Sequence, residues 1–355
     1  MSATEIAWGD AQAVERWSSK LARETVGKCY FKKFLGKSED SIIQLHTDLS
    51  NAAGDVVKYD VLMQNRGDGT QGDTTLEGNE EALEMYQDSV NIDQLRHAHN
   101  FRRMTQKRTI HNLRTLGKTS LSNWFAWKFD TLMFAYLAGV AGDGAESASG
   151  TLGSGGFAGN ALQVSDATHH HDQTGGVMTL QYLDDCVTLA KTIDPLIRPI
   201  KINGESKYVA VLHPYSVRSL KLETGEKSWN MIHQRVAENG SKNPIYTGAL
   251  GEHNGVVIHE CEFIPTANAA GAWSGAAAND KANLFLGAQA GCFAMGNGGG
   301  AGSGDGGYFS WEEQAKDYKN NKGLAAGSIF GMKKTRFNSL DFGVLRLTTT
   351  DAAPS

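Results

Sequence analysis

The chain has 355 residues, 40% of them hydrophobic, enough to bury a core in one large domain, two small ones, or a body with long extensions. A formal charge of −5 gives no general electrostatic pull toward nucleic acid and argues against sequence-specific DNA recognition. Cys29, Cys186, Cys261 and Cys292 lie far apart with no CxxC pair, which speaks against a zinc site or a disulfide framework.

The start of the chain carries Glu5 and Asp10 and no apolar signal core, so a soluble, unsecreted protein is expected. Trp8, Val14, Trp17 and Leu21 fall at helical spacing, and Lys28, Lys32, Lys33 and Lys37 follow as a basic stretch. This segment reads as an arm laid on something else, with the lysines as candidate contacts to DNA. From Gly54 the period becomes two, with Val57, Tyr59, Val61 and Met63 on one face and Lys58, Asp60 and Leu62 on the other. The turn-rich run Asn65-Arg66-Gly67-Asp68-Gly69 then predicts a hairpin whose return strand includes Tyr86 to Ile92.

Charge segregates next. Between Gly67 and Leu95 the ionisable side chains are all acidic and include Glu77, Glu80, Glu81 and Glu84. Arg96, Arg102, Arg103, Lys107, Arg108, Arg114 and Lys118 follow with no acid before Asp130. Each block reads equally well as a solvated face or as half of a complementary, self-associating pair of surfaces. Leu121, Trp124, Phe125, Phe129, Leu132, Met133 and Tyr136 recur every three or four residues, which predicts a helix over Ser120 to Leu137. With the basic block it forms one long helix, or one interrupted at Gly117. The longest apolar run, Leu132 to Ala141, is about half a bilayer span, so no membrane partner is expected.

Beyond a glycine tract from Gly139 to Gly176, Leu180, Leu183, Val187 and Ala190 predict a helix ending before Pro195. A buried strand at Tyr208 to Leu212 stops at His213-Pro214, and another helix is expected over Ser228 to Glu238. Short strands are expected at Val256 to His259, Leu284 to Leu286 and Val344 to Leu347. Helices and strands without a βαβ rhythm point to an α+β class.

Candidate chemistry is thin. Gly302 to Gly307 formally satisfies GxGxxG, but in a glycine-rich tract with no strand before it the pattern reads as a loop. His169-His170-His171-Asp172 reads as a polar loop, since consecutive histidines cannot converge on one ion. His259-Glu260 does not extend to HExxH and reads as a strand end. With no GxSxG elbow and no phosphate-binding loop, no catalytic, cofactor or metal residue is assigned.

One ordered series of motifs carries a resemblance: Asp48-Leu49, Ala53-Gly54-Asp55, Gly72-Asp73, Leu76-Glu77-Gly78-Asn79-Glu80-Glu81, Ile92-Asp93-Gln94 with Arg96, Gln106-Lys107-Arg108-Thr109, Leu113-Arg114, Leu121 with Trp124, Asp130 and Leu137-Ala138-Gly139. It resembles the major capsid proteins of podovirus-type tailed phages with the Hong-Kong-97-type fold. Gly248 to Gly251 with Asn254 to Val257 extend the likeness; the glycine tracts and His169 to His171 fall outside it.

The resemblance implies an N-terminal arm (1–50), an extended-loop β-hairpin (51–95), and a peripheral domain with a long spine helix (96–145). A glycine-rich insertion (146–176), an axial domain (177–290), a glycine-rich loop (291–307) and C-terminal strands returning to the peripheral domain (308–355) complete it. It further implies assembly as hexamers and pentamers into an icosahedral head around double-stranded DNA, with a separate scaffolding protein, a portal and optionally a decoration protein as partners. Glu77, Glu80, Glu81 and Glu84 are the expected loop-side carboxylates, and Arg102, Arg103, Arg108 and Arg114 their expected receptors on another copy. The rival readings are a decoration or tail protein, or an enzyme using the glycine-rich or His169 loop.

Overall fold

The computed structural model describes residues 21–22, 24–47, 54–62, 67, 69–82, 85–140, 157–202, 204–223, 249–267, 276–296, 308–318 and 320–353. The expected N-terminal amphipathic segment before Leu21, the expected helix at Ser228 to Glu238, Glu84, and the glycine runs 141–156 and 297–307 lie outside them.

In chain order a 3-10 turn (Tyr30–Phe34) precedes β1 (Leu35–Gly36) and β2 (Ile43–His46), then β3 (Val56–Leu62), β4 (Met85–Asn91) and β5 (Asp93–Arg102). Helices α1 (Arg103–Arg108) and α2 (Leu113–Ala138) follow, then β6 (His170–Gln173), α3 (Leu180–Thr192), β7 (Ile200–Ile202), β8 (Glu205–Leu212) and α4 (Pro214–Leu222). The remainder is all strand: β9 (Ala249–His253), β10 (Val256–Glu260), β11 (Asp280–Leu286), β12 (Gly291–Met295), β13 (Phe309–Lys316), β14 (Asn321–Lys334), β15 (Arg336–Phe337), β16 (Leu340–Asp341) and β17 (Val344–Thr350).

Two sheets share α2. The first runs β1-β2-β12-β14-β13 with β5 also on β14, and the second β6-β17-β11-β8-β10-β9 with β7 on β8. Phe125, Phe129 and Met133 of α2 bury against Phe293, Phe309 and Phe330 of the first sheet in the same core as Val209, Val211 and Leu284 of the second. The alternate residues Tyr208, Ala210 and Leu212 face α3 and α4 on the far side, so β8 is apolar on both faces and reads as a continuous run.

The termini of α2 are well determined. Asn112 caps its start, its Oδ1 accepting from the backbone N–H of Arg114 and Thr115 at 3.1 and 3.4 Å. It ends at Gly139 in the left-handed conformation (φ 70°), where a Cβ would lie 2.1 Å from the carbonyl oxygen of Gln163.

Several expectations need correction. The basic block is not one helix: Arg102 ends β5, Arg103 and Arg108 lie on α1, and Arg114 opens α2. The overlooked signal was period two, Leu95, His97, His99 and Phe101, which turns the half-buried face of β5 toward α2 while Arg96 and Arg102 point to solvent. Residues 29–46 are not an arm: Phe31 and Phe34 are buried, and β2 pairs in parallel with β12. Gly291–Met295, expected in a loop, is a fully buried strand because Leu137 and Met133 pack over Gly291. His170–Gln173 is likewise a strand on β17 rather than a polar loop, and His169 is fully buried. Of the C-terminal strands, β13 and β14 join the first sheet, but β17 lies in the second.

Candidate assembly interface

The hairpin β3/β4 pairs in antiparallel register from Val56↔Asn91 to Leu62↔Met85. Its root is fixed by a small core of Val57, Tyr59 and Val90 with Cys292, Ala294 and Phe342. Asp88 links the two bodies, accepting from the Tyr59 hydroxyl at 2.9 Å and from the Lys333 ammonium of β14. The described part of the hairpin loop, residues 67 and 69–82, is exposed almost throughout.

Glu77, Glu80 and Glu81 all sit on that loop and are exposed. The Leu76 carbonyl accepts from the N–H of Asn79 at 3.0 Å, closing a turn with Gly78 at φ 90°, a value that favours glycine. Glu80 and Glu81 accept from the N–H of Gly78 and Gly67 at 2.7 and 2.9 Å. Part of the acidic charge therefore shapes the loop itself.

The basic residues gather around a cleft of about 400 Å³ whose lining includes Arg102, Arg103, Lys107, Arg114 and Lys322 together with Phe101 and Leu324. Gly117 lets α2 pack closely behind two of these residues: a Cβ there would lie 3.0 Å from both Leu324 and Phe101. Gln106 braces the corner between α1 and α2, donating to the His111 carbonyl at 3.1 Å and accepting from Leu113 N–H at 3.3 Å. Arg103 N–H donates to the Asn320 carbonyl at 2.8 Å, tying α1 to the β13–β14 turn.

Not every expected receptor is equivalent. Arg114 is already committed within the chain, its guanidinium 2.6 Å from Glu313, which also accepts from the Trp311 indole N–H at 2.9 Å. Arg102, Arg103 and Arg108 are exposed and make no ion pair among the described residues, and Arg108 stands outside the cleft lining.

The lysines of the basic stretch divide. Lys28 donates to Ser122 and Asn123 of α2 at 3.2 and 2.8 Å, and Lys33 lies 4.2 Å over the Tyr30 ring, while Lys32 and Lys37 are exposed. Asp130 of α2 holds this segment, accepting from the N–H groups of Tyr30 and Phe31 at 2.9 and 3.1 Å. Burial pushes its carboxyl up to about 6, against the lowering effect of those two hydrogen bonds.

The histidine triplet takes three separate sets of partners: His169 Nδ1 meets Asp166 at 3.0 Å, His170 meets Thr348 and Arg346, and His171 meets Gln173 at 3.0 Å. Among the described residues no three His, Cys, Asp or Glu side chains gather to hold a metal ion, and no helix is long and apolar enough to cross a membrane.

Comparison with known proteins agrees with this architecture. The family model described as phage capsid protein matches residues 5–353. The major capsid protein of Pseudomonas phage KPP25 is 30% identical over 371 residues, covering 93% of this chain and 93% of that one. The capsid of Ralstonia phage GP4 matches at TM-score 0.81 and 34% identity over 100% of both chains. The cyanophage Pam1 capsid subunit matches in fold at TM-score 0.68 and 20% identity, over 93% and 94% of the two chains.

A hairpin rooted on the first of two sheets that share one long helix is thus the Hong-Kong-97-type fold of a phage shell protein. The chain belongs to the phage capsid protein family, with the function of a phage major capsid protein.

Proposed function

We propose that the protein closes an icosahedral head around double-stranded DNA as hexamers and pentamers, with the acidic loop of one copy set against the basic face of the next. The observation that carries the contact is the separation of charge on exposed surfaces: Glu77, Glu80 and Glu81 on the hairpin loop, Arg102, Arg103 and Arg108 at the β5–α1 corner. Each exposed pair contributes about 0.2–1 kcal/mol, so stability comes from repetition around rings and over the shell. On this reading the first sheet with α2 is the peripheral domain and the second sheet with α3 and α4 the axial domain. A separate scaffolding protein, a portal and optionally a decoration protein complete the head, and Lys32 and Lys37 are the members of the basic stretch best placed to meet DNA.

Charge exchange tests the contact. Glu77→Lys with Glu80→Lys and Glu81→Lys, and separately Arg102→Glu with Arg103→Glu and Arg108→Glu, should each suppress shells seen by negative-stain electron microscopy when the subunit is expressed with its scaffolding protein. Mixing the two variant subunits should restore part of the yield. Native yields from both variants at low salt would remove the charge contact.

A further inference from the structure

Exposed ion pairs orient surfaces but are screened by salt, and they hold little by themselves. An apolar contact within the charged one would supply what they lack, and both halves of such a contact are present. Between Gly67 and Ala82 the sequence has one large apolar side chain, Leu76, and it is 63% exposed. It is not held loosely: the turn closed by Asn79 N–H on its carbonyl, and the Asn79 side chain donating to the Thr75 carbonyl at 3.0 Å, fix its backbone on both sides. Asp73 precedes it and Glu77, Glu80 and Glu81 follow it in sequence, so the exposed apolar side chain belongs to an acidic loop.

The cleft has the inverse pattern. Its lining combines apolar Phe101 and Leu324 with the cations Arg102, Arg103, Lys107 and Lys322, beside Arg114, which is paired with Glu313. Leu324 is buried beneath, while those cations come from three elements, β5, α1 and β14. A cleft with apolar and cationic side chains in one lining is complementary to an exposed apolar side chain on an acidic loop.

We infer that Leu76 of one copy is an anchor seated on Phe101 and Leu324 in the cleft of a second copy, an assignment that rests on the loop-to-basic-face contact proposed above. The carboxylates then steer and register the loop, and burial of Leu76 supplies the part of the affinity that salt does not touch.

The test is the critical subunit concentration for shell formation with the scaffolding protein, read at low and at high salt. Leu76→Ser should raise it roughly tenfold or more at both salts, and Leu76→Met, which keeps the volume, should stay near native. The triple variant Glu77→Gln, Glu80→Gln, Glu81→Gln should raise it at low salt only. A native threshold for Leu76→Ser beside a raised one for the triple variant would overturn the anchor and leave the charge contact standing.

Location is read separately by pairing Leu76→Cys with Lys107→Cys under mild oxidation of assembled shells. A ladder of linked subunits, absent from either single variant, is expected, and the four native cysteines are buried and do not compete. Assembled shells with no ladder would place Leu76 elsewhere and overturn the proposal.

Discussion

Replacing Asp341 by asparagine should destabilise the subunit through charges left behind rather than through the hydrogen bonds lost. Asp341 is fully buried and accepts from Lys334 Nζ at 2.7 Å and from Arg336 Nε at 2.8 Å. Lys334 is 1% exposed and the neighbouring Arg346 only 2%, so neither can turn to water. Removing one partner of a buried pair costs about 3–5 kcal/mol. With roughly 2.1 cal/mol/K of unfolding entropy per residue, the melting temperature of the unassembled subunit should fall by roughly 4–7 °C at neutral pH. Burial already pushes Lys334 down to about 8, with Asp341 opposing. Its folded pKa therefore lies below its unfolded one, the unfolded chain binds more protons between them, and this group adds stability as pH rises through that window. In Asp341→Asn the lysine gives up its proton at lower pH, so the deficit relative to native should narrow from pH 7 to pH 9, by on the order of 1 kcal/mol. Thermal melts of both proteins across that range are the assay. A deficit under about 1 °C, or one that widens with pH, would refute the account of an uncompensated buried cation.

Other outcomes follow from single positions. Asp130→Ala should release residues 30–34 from α2, removing two charge-assisted hydrogen bonds for about 3 kcal/mol, and limited trypsin digestion should then cut at Lys32 or Lys33. Gly139→Ala forces a left-handed alanine against the Gln163 carbonyl and should cost about 3 kcal/mol in urea unfolding. Phe330→Ala empties a site where the rings of Phe129 and Phe157 lie at 4.6 and 4.5 Å, an expected loss of about 3–5 kcal/mol by the same measurement. Burial, reinforced by Arg346, holds His170 down to about 4, so it folds neutral while the unfolded chain takes up its proton near pH 6.5. Its contribution is complete above that pH and lost as pH falls toward 4, about 1–2 kcal/mol after solvent screening. Asp130 titrates with the opposite sign, so the clean readout is that His170→Gln flattens the acid limb of a stability profile relative to native.

The hairpin and α2 were legible because each obeys one strong period: Val57 and Tyr59 alternate with Lys58 and Asp60, and Leu121, Phe125, Phe129 and Leu132 repeat as a helix stripe. Strand β5 was missed because its inward face is half histidine, His97 stacking 4.3 Å from Trp124, so hydrophobicity alone showed no alternation. Strand β14 falls among the expected C-terminal strands, but its length and sheet were not legible from the sequence. A Cβ at Gly331 would lie 2.1 Å from the Asn91 carbonyl and at Gly327 3.0 Å from Arg96, so the close approach of β4 and β5 that these two glycines allow depends on tertiary structure. The expected acidic and basic residues lie on two exposed surfaces, but the pairing of Arg114 with Glu313, 199 positions away in sequence, depends on tertiary structure that local pattern does not encode.

The order in which the chain visits its sheets bears on how it is made. The first sheet takes β2, β5, β12 and β14 and the second takes β6 to β11 and then β17, the strand that joins β6 to β11. Synthesis from the N-terminus therefore completes neither sheet early: the first waits for residues 321–334 and the second for 344–350. Pairings this distant in sequence form slowly. The cleft, which needs Lys322 and Leu324, does not exist on a growing chain, so on the contact proposed above an emerging subunit offers no finished receptor and only completed chains can join the shell.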